Sequence, residues 1–514
     1  MSRLIERKLA RMRQHGARVL DLFAGCGGLS LGFRTAGAQI LGALEINPHA
    51  AASHHLNFGD EGPSPGPISI KSSPEVALRR LGIGGPGKIN ERIDILIGGP
   101  PCQAYSRVGR AKLRAEALRR KDGDAAEAHL HDSRTKLYLR YIEYVRELRP
   151  VALLMENVPD ILNHGGQNLA DGICKHLKKL GYEARYTLLN ACNFGVPEIR
   201  ERMFLVAIHR STKVSPEFPT PRFKHKLPKG YDSTRSSALQ VVFPHGISTS
   251  EYFIEPRFAD PELPEAITVG QAIDDLPKIN AQEIWDAGNW AHRQTARTEA
   301  AYRPLGNRSD YARLMREWRG IDLGGDLIEG HITRCLPRDF KFFKKMRQGW
   351  EYPKIHAWVE KMRSSLLAHR TNSGKSIHHR NREVIALKRE WTIPYDVSKF
   401  RNKWWKLEKG KPSRTLTAHL GKDSYSHIHY SSEQARTITI REAARLQSFP
   451  DGFQFAGGIN AAFQQIGNAV PPLMGYALAR QILGALSCDL DEDIRQPLFR
   501  HGSNKPSRSP AVRA

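Results

Sequence analysis

Six short apolar segments, separated by longer stretches with helical periodicity, run through the first 210 residues and constrain the fold of this chain more than any other feature. They predict strands at residues 18–23, 40–44, 93–97, 151–155, 184–189 and 203–207. Several are continuously apolar, as expected of strands covered on both faces, and most connections are long enough to hold a helix. The pattern predicts an α/β fold built on a parallel, doubly wound sheet.

The alternation stops near residue 210. Segments rich in Pro, Ser and Lys, such as SPEFPTPRFKHKLPKG, begin there and indicate a domain boundary. Helical periodicity returns in residues 438–449, closed by Pro450, and again in residues 472–486. The chain ends in the polar sequence HGSNKPSRSPAVRA, and we expect residues 487–514 to be a disordered tail.

Charge gives the first indication of a partner. The 514 residues include 78 Lys and Arg against 53 Asp and Glu, a net charge of +25, which favours a polyanion. Residues 331–414 hold 22 basic and 7 acidic side chains, whereas residues 211–330 hold 15 and 17. The basic segment also contains five Trp and two Tyr residues. Two interpretations remain open: a surface that grips a phosphate backbone with aromatic rings beside it, or a solvated charged face over a small core.

Several classes of protein are disfavoured. The six cysteines are sparse and form no CxxC pair, so neither a disulfide framework nor a structural zinc site is indicated, and we expect no metal. No apolar run approaches the roughly 18 residues of a membrane span. The Arg-rich start contains Glu6 and leads directly into the first predicted strand, which argues against a signal peptide. We expect a cytoplasmic protein without a membrane anchor.

A glycine-rich turn, DLFAGCGGLSLGF, follows the first predicted strand. Glu45 comes about twenty residues later, at the end of the second strand, where a carboxylate can accept hydrogen bonds from ribose hydroxyls. The spacing is not GxGxxG, because Ser30 stands where the third glycine would be. An adenosine-containing cofactor and a plain tight turn both remain possible.

Reactive side chains stand at the boundaries of three further predicted strands. The third strand runs into GGPPCQ, which places Cys102 in the crevice as a candidate nucleophile, although a lone cysteine is commonly a small buried hydrophobe. Glu156 follows the fourth strand as a candidate acid or base, or as a cap of the next turn. Arg200 and Arg202 precede the last strand and suit either a bound anion or a structural ion pair.

Taken together, these segments resemble the DNA (cytosine-5) methyltransferases, the Dcm-like C5 family. The resemblance is carried by DLFAGCGGLSLGF, GGPPCQAYS, ENV, VPEIRER, REAARLQSFPD and QIGNAVPP, in the family's linear order. It implies a Rossmann-like class I methyltransferase sheet that uses S-adenosylmethionine, in two parts, residues 1–210 and 414–486. A smaller inserted target-recognition domain would occupy residues 211–413.

The resemblance also implies a role for each matching residue. Cys102 would be the nucleophile that attacks C6 of a flipped-out cytosine, with Glu156 on the base and with Asn157, Arg200 and Arg202 holding the pocket. The implied cofactor contacts are Phe23, Ala24, Gly25, Gly27, Glu45, Ile46, Pro101, Asn468 and Val470. The chain departs from the family pattern at Ser69, where an Asp often contacts the adenine, and at Glu198, which replaces a glutamine. The basic stretch RVGRAKLRAEALRRK would close over DNA, or it is an unrelated solvated helix.

The implied activity is methylation of double-stranded DNA at cytosine C5, in a restriction-modification or an orphan role. A monomer is expected, with a cognate restriction endonuclease as a possible partner. Two alternatives remain open. An RNA cytosine-5 methyltransferase would share the catalytic set, and a non-catalytic DNA-binding relative would usually lack Cys102 or Glu156.

Overall fold

The computed structural model describes residues 2–59, 66–83, 88–101, 137–227, 232–257, 259–288, 298–301, 308–321, 323, 325–375, 377–379, 381–401, 403–421 and 426–499. Cys102 and the basic stretch at 107–121 lie outside the described residues. Within the described ranges, no helix has both the length and the apolar character needed to cross a bilayer.

A six-stranded sheet forms the centre of the molecule. Its strands are β1 (Arg18–Leu22), β2 (Gln39–Leu44), β3 (Ile95–Gly98), β4 (Ala152–Asn157), β5 (Tyr182–Asn190) and β6 (Glu201–His209). The strand order is β2-β1-β3-β4-β6-β5. All six overlap the segments that the sequence predicts, and the sheet with its covering helices is an α/β Rossmann-like arrangement.

The prediction of a fully parallel sheet is wrong for the last strand. β1, β2, β3 and β4 pair in parallel, but β6 is antiparallel to both β4 and β5. The reason is the connection between β5 and β6, which spans ten residues and holds only a short 3-10 turn and a two-residue strand, Glu198–Ile199. A parallel neighbour needs a crossover of a dozen residues or more, so the chain turns back.

The described helices are listed here in chain order. They are α1 (Ser2–His15), α2 (Gly28–Thr35), α3 (Pro48–Phe58), α4 (Pro74–Arg80), α5 (Leu137–Leu148), α6 (Leu169–Lys179), α7 (Asp232–Leu239), α8 (Val269–Ile273), α9 (Ala281–Asp286), α10 (Asp310–Arg316), α11 (Pro337–Lys345), α12 (Tyr352–Asn372), α13 (Arg382–Glu390), α14 (Ile440–Leu446), α15 (Ile459–Asn468), α16 (Pro472–Ala485) and α17 (Gln496–Phe499).

Apolar side chains cover the sheet on both faces. Val19 of β1 and Ile95 and Ile97 of β3 join one hydrophobic cluster, whereas Leu20 and Leu96 join another. Successive side chains of a strand point to opposite faces, so continuously apolar strands supply both clusters at once. The sheet is therefore buried between two layers, as the sequence predicts.

The returning C-terminal segment completes one of these layers. α16 packs against α2 so closely that a Cβ at Gly32 would lie 2.4 Å from the backbone nitrogen of Tyr476. The predicted helix at 472–486 is observed as Pro472–Ala485, and the one at 438–449 is shorter, Ile440–Leu446. Only a glycine at position 32 permits this approach of the two helices.

The inserted segment does not have one core of its own. Its first part joins the clusters of the sheet through residues such as Phe223, Ile273 and Trp318 on one face and Tyr252 on the other. Its later part forms a third cluster, which includes Phe340, Phe342, Phe343, Tyr352, Ile355, Val359 and Trp404. The boundary that composition suggests at residue 211 is thus not a boundary between cores.

The aromatic residues of the basic segment lie mainly inside this third cluster. Trp404 and Tyr352 are fully buried, and Trp350, Trp358, Trp391 and Tyr395 pack against the cluster from its edge. The ring of Trp404 lies 5.0 Å from that of Phe343 and 5.3 Å from that of Tyr352, between centroids. Of the two interpretations, a charged face over a small core is the one observed for these rings.

Residues 487–499 correct the expectation of a disordered tail from residue 487 onward. Leu498 is buried, and Leu490 and Ile494 pack against the main cluster. These three apolar residues therefore tie the segment after α16 to the core, although only Gln496–Phe499 of it is helical. The polar sequence from residue 501 onward lies outside the described residues.

Candidate active site

A cleft of about 480 Å³ opens at the carboxyl ends of β1, β3 and β4. Every predicted site residue that the structure describes lines it, except Gly27. These residues are Phe23, Ala24, Gly25, Glu45, Ile46, Pro101, Glu156, Asn157, Arg200, Arg202, Asn468 and Val470. The cleft therefore joins residues from the two sequence segments that flank the insertion.

The glycine-rich turn is held in a left-handed backbone conformation. Phe23 has φ of 60°, Gly25 of 56° and Gly27 of 101°. The backbone N–H of Ala24 donates to the carbonyl of Leu44 at 3.1 Å, which ties the turn to β2. A positive φ is uncommon for a non-glycine residue and clusters at functional sites, so the turn at Phe23 is a strained element built at the cleft.

Two glycines of this turn are required by close packing. A Cβ at Gly27 would lie 2.4 Å from Cε2 of Phe58, and one at Gly28 would lie 2.1 Å from the carbonyl oxygen of Val470. Gly27 precedes α2 and is packed against Phe58 rather than lining the cleft, and its contact with the cofactor stays a prediction. Gly28 brings the start of α2 against the returning chain at Val470.

Glu45 organises the second wall of the cleft. Its Oε2 accepts the N–H of Gly25 at 2.9 Å, and its Oε1 accepts the N–H of Asn47 at 2.7 Å. Each carboxylate oxygen retains a second acceptor site. Ile46, the next residue, is 69% exposed and offers an apolar surface at the cleft, unlike the buried Leu44 at the end of β2.

Asp21 is a cleft residue that the sequence analysis did not select as a site residue. Its carboxyl group is buried at the end of β1, and its Oδ2 accepts from the hydroxyl of Ser30 at 2.7 Å, while Oδ1 has no hydrogen-bond partner among the described residues. Burial raises the pKa of Asp21 to about 7. An acidic residue within the otherwise apolar run of β1 is the sequence feature from which Asp21 could have been predicted as a site residue.

Ser30 also contacts His54 Nε2, at 3.1 Å, behind the cleft. Since Ser30 donates to Asp21, the ring nitrogen of His54 must be the donor to Ser30. Burial lowers the pKa of His54 to about 3, which keeps the imidazole neutral. The carboxyl group of Asp21 is thus fixed in position by a buried chain of hydrogen bonds.

The Gly99–Pro101 turn brings the chain to the residue before Cys102. Asn157 Nδ2 donates to the carbonyl of Pro100 at 3.2 Å, which pins this turn to the end of β4. A Cβ at Gly99 would lie 2.8 Å from Glu156 Oε2, so the carboxyl group rests directly against the turn. Although Cys102 itself is not described, the residue that precedes it lines the same cleft as Glu156.

Glu156 and Arg202 form an ion pair at this edge, with Arg202 Nε 3.1 Å from Glu156 Oε1. The two side chains are only 14% and 17% exposed. Burial raises the pKa of the Glu156 carboxyl above its usual value, and the charges of Arg202 and Arg200 oppose that rise. Glu156 is therefore a carboxyl group with a fixed orientation whose neutral form is favoured by its surroundings.

Arg200 is placed differently from Arg202. It is 2% exposed and donates to the carbonyls of Leu416, Gly467 and Ala469 at 2.8, 3.1 and 3.0 Å. These carbonyls belong to the chain that returns after the insertion and leads into and past Asn468. Arg200 thus fastens the returning segment to the sheet at the wall of the cleft.

Glu198, the departure from the family pattern, supports the same fastening. Its Oε1 accepts the N–H of Leu416 at 2.6 Å and lies 3.6 Å from Arg200 Nη1. Burial raises the pKa of Glu198 to about 7 even with Arg200 beside it. Ser69, the other departure, lines the cleft and accepts the N–H of Lys71 at 3.2 Å.

The fold and this cleft define the Rossmann-like methyltransferase class, in which a glycine-rich turn and an acidic residue after the second strand lie at the carboxyl edge of the sheet. The chain belongs to the C-5 cytosine-specific DNA methylase family, whose model matches residues 17–484. Methylation of cytosine at C5 in DNA is therefore its activity.

Similar proteins come from several bacteria. A protein of Oceanobacillus iheyensis, provisionally named type II methyltransferase M.OihORF3336P, is 36% identical over 90% of this chain and 94% of its own length. Type II methyltransferase M.AgeI of Thalassovita gelatinovora is 30% identical over 91% and 100%. A solved structure from E. coli, provisionally assigned as a prophage-encoded DNA modification methyltransferase, has a TM-score of 0.56 and 22% identity, covering 92% of this chain and 99% of that one. At this level of identity, the similarity to the solved structure shows a shared fold.

Proposed function

We propose that this chain modifies duplex DNA at a specific sequence, using S-adenosylmethionine and a covalent bond between Cys102 and C6 of a flipped-out cytosine. The observation that carries the proposal is the arrangement of Glu156. Its carboxyl group is oriented by Arg202 and rests against the turn that leads to Cys102. A nucleophile and an acid on one side of a cleft are what addition to a cytosine ring requires.

The cleft residues fit the proposed cofactor. S-adenosylmethionine, when bound, supplies an electrophilic methyl group. Glu45 would accept hydrogen bonds from its ribose hydroxyls, and the exposed Ile46 would cover one face of its adenine. The Oδ1 atom of Asp21 is a buried acceptor without a partner among the described residues, and it suits a cationic donor such as an ammonium group. Asn468 and Val470 would close the other side.

The chain's own residues account for the chemistry on the base. The thiolate of Cys102 would form a bond to C6, which turns the ring into an enamine with nucleophilic character at C5. Glu156 in its neutral form would donate a proton at N3, so that negative charge does not accumulate on the ring. After C5 is methylated, a base or water removes the C5 proton, N3 returns its proton to the Glu156 carboxylate, and the bond between sulfur and C6 breaks to release the thiolate.

Access to C6 requires the cytosine to leave the base stack, since that atom is hidden within the duplex. The basic stretch after Cys102 would close over the DNA at this stage. The names of the relatives support a type II restriction-modification role, and a separate endonuclease would then cut unmodified DNA. We place the enzyme with the DNA of the cell, in the cytoplasm, and expect it to act as a monomer.

Transfer of a labelled methyl group from S-adenosylmethionine to duplex DNA tests the proposal. We expect the label in 5-methylcytosine after nuclease digestion, at a fixed sequence within a random library. Duplex DNA that contains 5-fluorocytosine should trap the wild-type chain as a band stable on a denaturing gel, because fluorine cannot leave as a proton does. Cys102→Ser should form no such band. Label in RNA alone, or full activity in Cys102→Ser, contradicts the proposal.

A further inference from the structure

The third hydrophobic cluster supports two helices that extend well beyond it. α12 has 21 residues, which is about 31 Å of helix, but its buried side chains are Tyr352, Ile355 and Val359, all in its first eight residues. α13 buries only Val384 among its described side chains. We name residues 352–390, the two helices and the loop between them, the helical arm.

The two helices of the arm are held together by side chains of the arm and of the two residues that follow it, Trp391 and Thr392. Trp358 packs on Trp391 with ring centroids 6.1 Å apart, and Arg370 pairs with Glu383 at 2.8 Å. Arg363 donates to Thr392 at 3.2 Å. The thirteen residues of α12 after Val359 bury none of their side chains fully, so about 20 Å of helix adds little to the core. Because most helical stability in proteins comes from tertiary packing, this part of the helix contributes little to the stability of the fold.

The charges of the arm are unbalanced. Residues 352–390 contain nine Lys and Arg and three Glu. All three acids are paired with bases: Glu360 with Arg363, Glu383 with Arg370, and Glu390 with Lys341 at 3.9 Å. The acidic side chains therefore neutralise none of the bases on the outer surface of the arm.

Those outer bases lie on the outward side of each helix. Lys354 and Lys361 are seven residues apart, which places them on the same side of α12, opposite the buried face. Arg382 and Arg389 are related in the same way on α13, opposite Val384. All four are exposed and have no ion pair within the described part of the chain. We call this set the outer basic face.

Both ends of the third cluster's segment are attached beside the cleft. Before α11, Arg334 donates to Leu420 at 2.8 Å and to Asn460 at 2.6 Å, and Asn460 belongs to α15, whose residues line the cleft. After α13, Arg414 lies over the ring of Trp405, with its guanidinium carbon 5.0 Å from the centroid, two residues before Leu416. The third cluster, from which the arm extends, is thus attached to the wall of the active site.

We propose that the outer basic face of the arm binds the phosphate backbone of duplex DNA beside the target base, independently of sequence. This inference rests on the proposed function, and the arm would supply affinity rather than recognition. Exposed long cations without aromatic partners suit phosphate contacts, which position a protein without reading bases. The buried rings of the third cluster cannot stack on bases.

Replacement of the four cations tests the proposal in the full chain. The variant Lys354→Gln, Lys361→Gln, Arg382→Gln and Arg389→Gln is compared with a control that loses the same charge elsewhere, Arg80→Gln, Lys175→Gln, Lys179→Gln and Lys213→Gln. Binding to a fluorescent duplex is followed by anisotropy while salt rises from about 50 to about 200 mM. The slope of log affinity against log salt should fall by up to roughly 3.6 in the arm variant, about 0.9 for each lost contact.

The arm variant should lose the same factor in affinity for duplexes that contain the target sequence and for duplexes that lack it. The target sequence itself should not change. Affinity for S-adenosylmethionine should also stay the same. An arm variant with the salt slope of the control overturns the proposal, as does a loss of affinity for RNA but not for duplex DNA. Because binding is measured without catalysis, a chain that binds duplex through the arm but transfers no methyl group would refute only the proposed function.

Discussion

Arg202 Nε lies 3.1 Å from Glu156 Oε1, where β4 ends and β6 begins. The two strands are antiparallel, so the end of one meets the start of the next and the pair forms at the edge of the sheet. The arginine holds the carboxyl group in one orientation and lowers its pKa, whereas burial raises it. One side chain therefore sets both the geometry and the protonation of the other.

Glu156→Gln should lower the rate of methyl transfer by at least about 100-fold, because an amide keeps the shape but cannot deliver a proton as an acid does. Affinity for S-adenosylmethionine should not change, since the amide still fills the site. Single-turnover transfer of labelled methyl groups, with calorimetry for the cofactor, measures both quantities. A variant with more than a tenth of wild-type rate would remove Glu156 from proton transfer.

The pH dependence of the wild type should follow from the protonated form of Glu156. Its raised pKa means that activity is present below that pKa and declines as pH rises through it. In Arg202→Gln, loss of the cation raises this pKa further, so the decline should move to higher pH while the maximal rate falls. A rate profile across pH checks the direction. A shift to lower pH would contradict the assigned role of Arg202.

Glu45→Gln should weaken binding of S-adenosylmethionine by about 1 to 3 kcal/mol, the range for hydrogen bonds to a charged group. Glutamine retains one acceptor oxygen, so it cannot hold the N–H groups of Gly25 and Asn47 together. Duplex DNA affinity without cofactor should stay the same. Calorimetry measures the affinity for S-adenosylmethionine, and fluorescence anisotropy measures the affinity for duplex DNA. An unchanged cofactor affinity would exclude the ribose contact.

Gly28→Ala should destabilise the fold by about 1 to 3 kcal/mol and weaken cofactor binding, because the new methyl group meets the carbonyl of Val470 at 2.1 Å. Gly172→Ala is a matched control within α6, where an added Cβ meets nothing within 4 Å. That control should gain up to about 1 kcal/mol from helix propensity. Denaturant unfolding of the two variants should therefore give shifts of opposite sign.

Glu198→Gln should resemble the wild type near pH 5 and be more stable at pH 8. Since the pKa of Glu198 is raised in the folded state, its contribution to stability is full below the unfolded-state value of 4.5 and is lost as pH rises toward about 7. Glutamine matches the neutral carboxyl group and does not ionise. The difference in unfolding free energy should grow by about 1 kcal/mol or more between these pH values, whereas exposed Glu217→Gln should show no such growth.

The sequence was sufficient to predict most of the cleft. Glu45 follows β2 and Glu156 lies near the end of β4, and the carboxyl ends of parallel strands lie at one edge of a sheet, so topology places both carboxyl groups at that edge. The strands themselves were predictable because runs such as those of β3 and β4 are continuously apolar. Asp21 could have been added by the same reasoning, as a carboxyl group within an apolar strand.

Other features depend on contacts between distant segments, which local sequence does not encode. The sequence left open whether Arg200 binds an anion or forms a structural ion pair, and the structure shows it donating to three backbone carbonyls of the returning chain. The sequence of the basic segment shows that it contains Trp and Tyr residues but not whether their rings lie on the surface or in a core. Only packing determined that Trp404 and Tyr352 form a core and that the charges lie outside it.

The hydrogen bonds from Arg200 to the returning chain join parts of the protein that the ribosome synthesises at different times. Arg200 is separated from the carbonyls of Gly467 and Ala469 by 267 and 269 residues. At roughly 5 to 20 residues per second, translation needs about 13 to 53 s to cover that distance. A chain interrupted before Gly467 contains the residues of all six strands and of the glycine-rich turn but lacks the returning wall of the cleft. Because that wall includes Asn468 and Val470, we expect such a truncated chain to be inactive.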